Sequence, residues 1–152
     1  MIQTLPKNIT FTQGVGSLAC VRLTDKGMLR WYADCCKTPI GNTLATPKLS
    51  FIGLLRTCLD ASNQSIDASF GPVRVWVNTQ GAKGEPKPKS VGLARTVAWF
   101  MRNVLRVRIS GSYKHTPFFD AERGAPIVRP QVLSSAERAR IMELVQASPL
   151  VS

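Results

Sequence analysis

Two cysteines, Cys35 and Cys36, stand side by side in RWYADCCKTPIGNT, residues 30–43. Neighbouring thiols have three readings. They can supply two of the four thiolate or imidazole donors of a tetrahedral zinc site. They can close on each other as a strained disulfide that is easily reduced. Or they are two small packing residues that happen to adjoin. The remaining donors are few: Cys20, Cys58 and a single histidine, His115. No C-x-C or C-x-x-C pair occurs, so a complete local zinc motif is missing. A site drawing on Cys20, Cys35, Cys36 and Cys58 is arithmetically open, but only the fold could gather it. Nucleophilic catalysis needs a thiolate with a base or cation beside it. Lys37 is adjacent in sequence and His115 is the sole imidazole, and a lone histidine reads more simply as a loop or packing residue. Neither QGVGSLA nor QGAKGEP matches a phosphate-binding glycine loop. Asp25, Asp34, Asp60 and Asp67 share no period. No catalytic and no cofactor-binding residue emerges.

The thiols must be positioned by the extended segments around them. LACVRL (18–23) alternates, with Ala19, Val21 and Leu23 on one face and Cys20 and Arg22 on the other. TDKG supplies turn chemistry before MLRWYA (28–33), so the pair predicts a β-hairpin. After the cysteines, TPIGNT holds Pro39, Gly41 and Asn42 and reads as a turn. LSFIGLL (49–55) is a strand or a short helix. FGPVRVWVNT (70–79) alternates as a half-buried strand, and the polar, Pro/Lys-rich segment over 80–89 is an exposed basic loop.

The C-terminal part reads as helical. In 90–109, Leu93, Val97, Phe100, Val104 and Val107 recur at steps of three and four, while Arg95, Trp99, Arg102 and Arg106 gather opposite. Ser90 is placed to cap the start. A core-packing helix with a solvated basic side is the plain reading. A helix lying on anionic lipid is the sharper one, with Trp99, among the arginines, off the apolar face. HTPFFD (115–120) brings aromatics that pack onto the body. SSAERARIMELVQ (134–146) is a helix with a capping box at Ser134 and Glu137 and a stripe of Ile141, Leu144 and Val145.

With 152 residues and 44% hydrophobic content, the chain is sized for a single domain with a packed core. It divides into a β-rich part over 1–79, the loop over 80–89 and a helical extension over 90–152. Lysine and arginine number 20 against 9 acids, a formal net charge of +11. Between Arg74 and Lys114 nine basic residues face one acid, Glu85. That balance favours an anionic partner, lipid or nucleic acid, with Arg95, Arg102 and Arg106 as its contacts. Solubility is the plain alternative. No apolar run is long enough to span a membrane, no secretory pattern opens the chain, and the cysteines are too few for a disulfide scaffold. A reduced, cytoplasmic protein is expected.

RLTDKGMLRWYADCCKTPIGNT (22–43), with support from FGP (70–72), HTPFFD (115–120) and VLSSAER (132–138), resembles an uncharacterised bacterial family distantly related to the glutathione-dependent formaldehyde-activating enzymes. The resemblance implies a compact, zinc-containing β fold, elaborated here by two C-terminal helices, so α+β overall. In those enzymes a C-x-C pair joins a later C-x-x-C pair around a structural zinc, and a separate cysteine cluster holds a catalytic zinc. Cys36 falls at the second cysteine of the later pair, Ala33 at the first, and Cys35 is the substitute ligand. The earlier cysteines belong upstream of the segment where this chain begins. From Met1 to Thr24 only Cys20 is present. Three expectations follow. The chain is a truncated or degenerate zinc-binding domain without catalysis, with Cys35 and Cys36 as its metal ligands. Alternatively it is a fragment of a zinc-dependent carbon–sulfur lyase or thiol-adduct enzyme. And the strands that should pair with ACVRL and LRWYA are missing, leaving a sheet edge open to a homodimer or another partner.

Overall fold

The computed structural model describes residues 1–59, 65–71 and 91–147, with positions 75, 86 and 89. Asp60, Trp76 and Ser90, and most of the strand and loop predicted over 70–89, lie outside these residues. Phe70, expected to open that strand, instead closes a short helix, α1 (Ile66–Phe70).

The architecture is α+β. Six strands form one sheet: β1 (Ile2–Thr4), β2 (Leu18–Arg22), β3 (Leu29–Ala33), β4 (Thr38–Thr43), β5 (Ile52–Leu54) and β6 (Gln131–Val132), in the order β1-β5-β4-β3-β2-β6. All neighbours are antiparallel except β2 and β6. The predicted hairpin is β2–β3, with Cys20 opposite Trp31. The ambiguous LSFIGLL run supplies β5, a strand buried along its length.

The core takes the cysteine-bearing face of β2. Leu18 and Cys20 pack with Leu29, Trp31, Ile52 and Leu54, while Ala19 and Val21 are only half-buried. Alternation fixes which residues share a face; the aromatic partner across the hairpin decides which face goes inward. Trp31 is fully enclosed, and its indole N–H donates to the buried Thr43 hydroxyl at 2.9 Å. The predicted packing of HTPFFD is observed. Phe118 and Phe119 are buried, with Phe118 5.0 Å from the Trp31 ring and 5.5 Å from Phe11. Residues 90–152 thus contribute core aromatics and a strand as well as helices.

TPIGNT is not a turn. It forms β4, paired to β3 on one side and β5 on the other. Its turn-type residues meet demands of the sheet. The register slips between Trp31 and Tyr32, which pair with Gly41 and Pro39, leaving Ile40 unmatched. Such a bulge lets a strand accommodate a proline that has no ladder N–H to give. At Gly41 a Cβ would lie 2.7 Å from the Gly53 carbonyl oxygen, so only glycine fits the close crossing to β5.

The LRWYA segment, expected to lack a neighbour, is the interior strand β3. ACVRL, as β2, carries β6 on its outer side at Val21 and Arg22, and the Leu133 N–H donates to the Arg22 carbonyl at 3.0 Å. The edge predicted to be bare is therefore covered at its C-terminal end by a segment from the far end of the chain.

Two longer helices complete the fold. α2 (Leu93–Ile109) has Gly92 at its N-cap position, where a positive φ of 84° favours glycine. Only the C-terminal part of its apolar face is seated: Val104 and Val107 are buried, and Phe100 meets Phe51 edge-on at 6.0 Å. Leu93 and Val97, expected on the same core face, are exposed. α3 (Ser135–Ala147) has the predicted capping box. The Ser134 N–H donates to the Glu137 carboxylate at 2.8 Å, and the Glu137 N–H donates to the Ser134 hydroxyl at 3.2 Å. It is tied to the residue that follows β2 by the Arg138 guanidinium, which donates to the Leu23 carbonyl at 3.0 Å. No described side chain of α3 is buried, so the Ile141, Leu144 and Val145 stripe faces solvent. No described helix is long and apolar enough to cross a membrane.

Candidate metal-binding turn

Strands β3 and β4 hold the cysteine pair between them. The chain leaves β3 at Ala33, turns through Asp34, Cys35, Cys36 and Lys37, and enters β4 at Thr38. Three contacts fix this turn. The Asp34 N–H donates to the Ser17 carbonyl at 2.7 Å, anchoring its start to the segment before β2. The Lys37 ammonium donates to the Asp34 carboxylate across the turn, and this hydrogen bond holds the lysine pKa above its ordinary value. Lys37 also lies 5.6 Å from the Tyr32 ring centre. Its backbone has a φ of 56°, the only described non-glycine residue with positive φ. That left-handed step brings the chain back into β4 within four residues.

Both thiols of the turn face solvent. The Cys36 sulfur lies 3.0 Å from the Thr38 hydroxyl. The Thr38 side chain and amide hydrogen bonds, with a further one from Cys35, hold the Cys36 pKa below the usual thiol value of 9.0. A hydrogen bond to the thiolate favours the charged form, the form that binds metals and attacks electrophiles.

The other cysteines differ. Cys20 is in the core, where burial pushes its thiol up to about 11. Cys58 is half-buried, and its thiol donates to the carbonyls of Leu55 at 3.0 Å and Ile40 at 3.3 Å; burial raises its pKa also. Both sit in environments that favour the protonated thiol. A four-cysteine site is therefore not assembled here: one member is core, one is engaged with backbone, and two are on a solvent-facing turn. Among the described residues, no three His, Cys, Asp or Glu side chains converge as ligands. His115 is exposed and lines a shallow groove of about 370 Å³ with Lys7, Thr10 and Phe11, a lining that contains no cysteine. A Cys/His pair does not form there.

Thiols are donors of the type that zinc takes, and two stand here on consecutive residues; the adjoining carboxylate, Asp34, is held by Lys37. The Thr38 hydrogen bond and the left-handed Lys37 were not visible in the sequence. The T at position 38 offered the one local hint, as a hydroxyl two residues from a thiol.

In comparison with known proteins, a family of unknown function (DUF6151) matches residues 1–126, from β1 through the Phe118–Phe119 segment. No curated protein and no solved structure matches the chain.

Proposed function

The chain belongs to this family of unknown function, whose match covers most of its length, and from that premise we propose that it is a non-catalytic zinc-binding module. In this reading Cys35 and Cys36 are two ligands, and the other donors come from outside the group of residues around the turn. The observation that carries it is the turn itself: two adjacent, exposed thiols, one of them already biased toward thiolate by Thr38. The resemblance of RLTDKGMLRWYADCCKTPIGNT to the zinc-containing relatives of formaldehyde-activating enzymes supports the choice of metal, as does the softness of thiolate donors.

Elemental analysis of reduced protein purified without chelator tests the reading. Zinc is expected at about one ion per chain, or about half if two copies share a tetrahedron. Cys35→Ser and Cys36→Ser should each remove it, and Cys58→Ser should leave it. Cobalt substitution gives the matching thiolate charge-transfer band. Metal-free protein that also fails to take up zinc or cobalt on titration would refute the proposal. So would uptake that survives the Cys35→Ser/Cys36→Ser double substitution.

A further inference from the structure

Helix α2 presents two apolar surfaces, and the body covers only one. Phe100, Val104 and Val107 point inward. Val97, Met101 and Leu105 follow one another at steps of four on the adjoining side, and they are 50%, 58% and 62% exposed. Leu93 and Ile109 extend the row at its two ends, at 56% and 78%. Over 17 residues the exposed stripe runs the length of the helix, ~25 Å at 1.5 Å per residue.

The charges beside the stripe are all of one sign. Arg102 and Arg106 follow along one border and Arg108 lies on the other, with Arg95 across the helix near its start; all are exposed, and α2 contains no acid. We propose that α2 docks this chain on an anionic lipid surface, with Val97, Met101 and Leu105 entering the boundary between headgroups and acyl chains and the arginines meeting lipid phosphates.

An apolar row flanked by arginines suits that surface on both counts. The side chains in the row leave water, and the long arginine stems reach back to the headgroups. A second copy of the chain fits worse, because stacking α2 on α2 sets the flanking arginines of one copy against those of the other. Nucleic acid would satisfy the arginines yet leave the apolar row without a role. Trp99 takes no part: it is half-buried on the side away from the stripe, and its carbonyl accepts a hydrogen bond from the Asn103 amide at 2.8 Å.

Co-sedimentation of the full chain with vesicles tests this. One set contains phosphatidylcholine alone and the other about 30 mol % phosphatidylglycerol. Binding is expected to the anionic vesicles only, and to weaken as salt is raised. Arg102→Gln/Arg106→Gln should lower affinity roughly thirtyfold, at about 1 kcal/mol for each arginine near the surface. Met101→Glu/Leu105→Glu should abolish binding while the far-ultraviolet circular dichroism stays that of the parent. Absence of binding to anionic vesicles would overturn the proposal, as would binding that both double variants retain. Light scattering that shows a dimer dissolved by Met101→Glu/Leu105→Glu would overturn it in favour of a second copy. Duplex binding that the arginine variant weakens, with vesicle binding unchanged, would overturn it in favour of nucleic acid.

Discussion

Burial pushes the Cys20 thiol up to about 11, while Thr38 draws the Cys36 thiol down, so one small sheet carries thiols of opposite character. The difference has a consequence for stability that metal does not enter. The folded state keeps the Cys20 proton to higher pH than the unfolded chain, whose thiol titrates near 9.0. Stability from this group is therefore complete below that value and lost as pH rises toward about 11. The size is at most about 3 kcal/mol, at 1.36 kcal/mol for each unit between 9.0 and about 11. Cys58, also raised by burial, acts in the same direction. Urea unfolding between about pH 8 and pH 11 is expected to show a declining midpoint in the parent, and a shallower decline in Cys20→Ala. Parallel declines in the two proteins would remove Cys20 as the cause. Which thiol would be inert was legible in the alternation of LACVRL only once a partner was known: Trp31, across the hairpin, draws the Cys20 face inward.

At the level of the elements, β4 shows why turn-type residues mislead. Pro39, Gly41 and Asn42 carry the local signature of a reversal, yet each is in a strand between two neighbours. The deciding contact is non-local. Gly41 is needed because the Gly53 carbonyl, twelve residues on, occupies the space of a Cβ. Gly41→Ala should therefore cost about 1–3 kcal/mol, the usual range for forcing bulk into a packed site. Gly53→Ala meets only the side-chain end of Met1, which can swing aside, and should cost less than about 1 kcal/mol. Thermal unfolding of the two variants checks the contrast, and equal losses would show that the crossing is not the tight point. The features legible in the sequence are those settled within a few residues. The Ser134–Glu137 box closes over three positions, and the β2–β3 hairpin over a short polar turn. The period of α2 reports its faces, but no period reports which part of a face is covered, and Leu93 and Val97, on the expected core face, are exposed.

Across the whole molecule, the sheet is formed mostly from the first 54 residues and closed by aromatics more than sixty residues later. Phe118 packs against Trp31 and Phe11, so it joins the C-terminal segment to both the sheet and the N-terminal stretch. The family match, ending at residue 126, includes this closure and stops before β6 and α3. The described side chains of β6 and α3 include none that is buried. The expected outcome is an asymmetry. Phe118→Ala should cost about 3–5 kcal/mol, as for other aromatic truncations in a core. Removal of residues 131–152 should leave a cooperatively folding chain that has lost no more than about 2 kcal/mol, chiefly from ladder and capping hydrogen bonds. Chemical denaturation followed by far-ultraviolet circular dichroism measures both. A truncated chain without a cooperative transition would place β6 and α3 among the determinants of folding.

The unmatched residue in β4 also decides where the chain can go next. Ile40, unmatched on the β3 side, turns its carbonyl to the β5 side, where it accepts the Leu55 N–H at 2.9 Å and the Cys58 thiol at 3.3 Å. That one oxygen steers the polypeptide out of β5 and into the tight coil at Arg56–Cys58. One residue thus serves two itineraries at once, skipped by the strand on one flank and holding the departing backbone on the other.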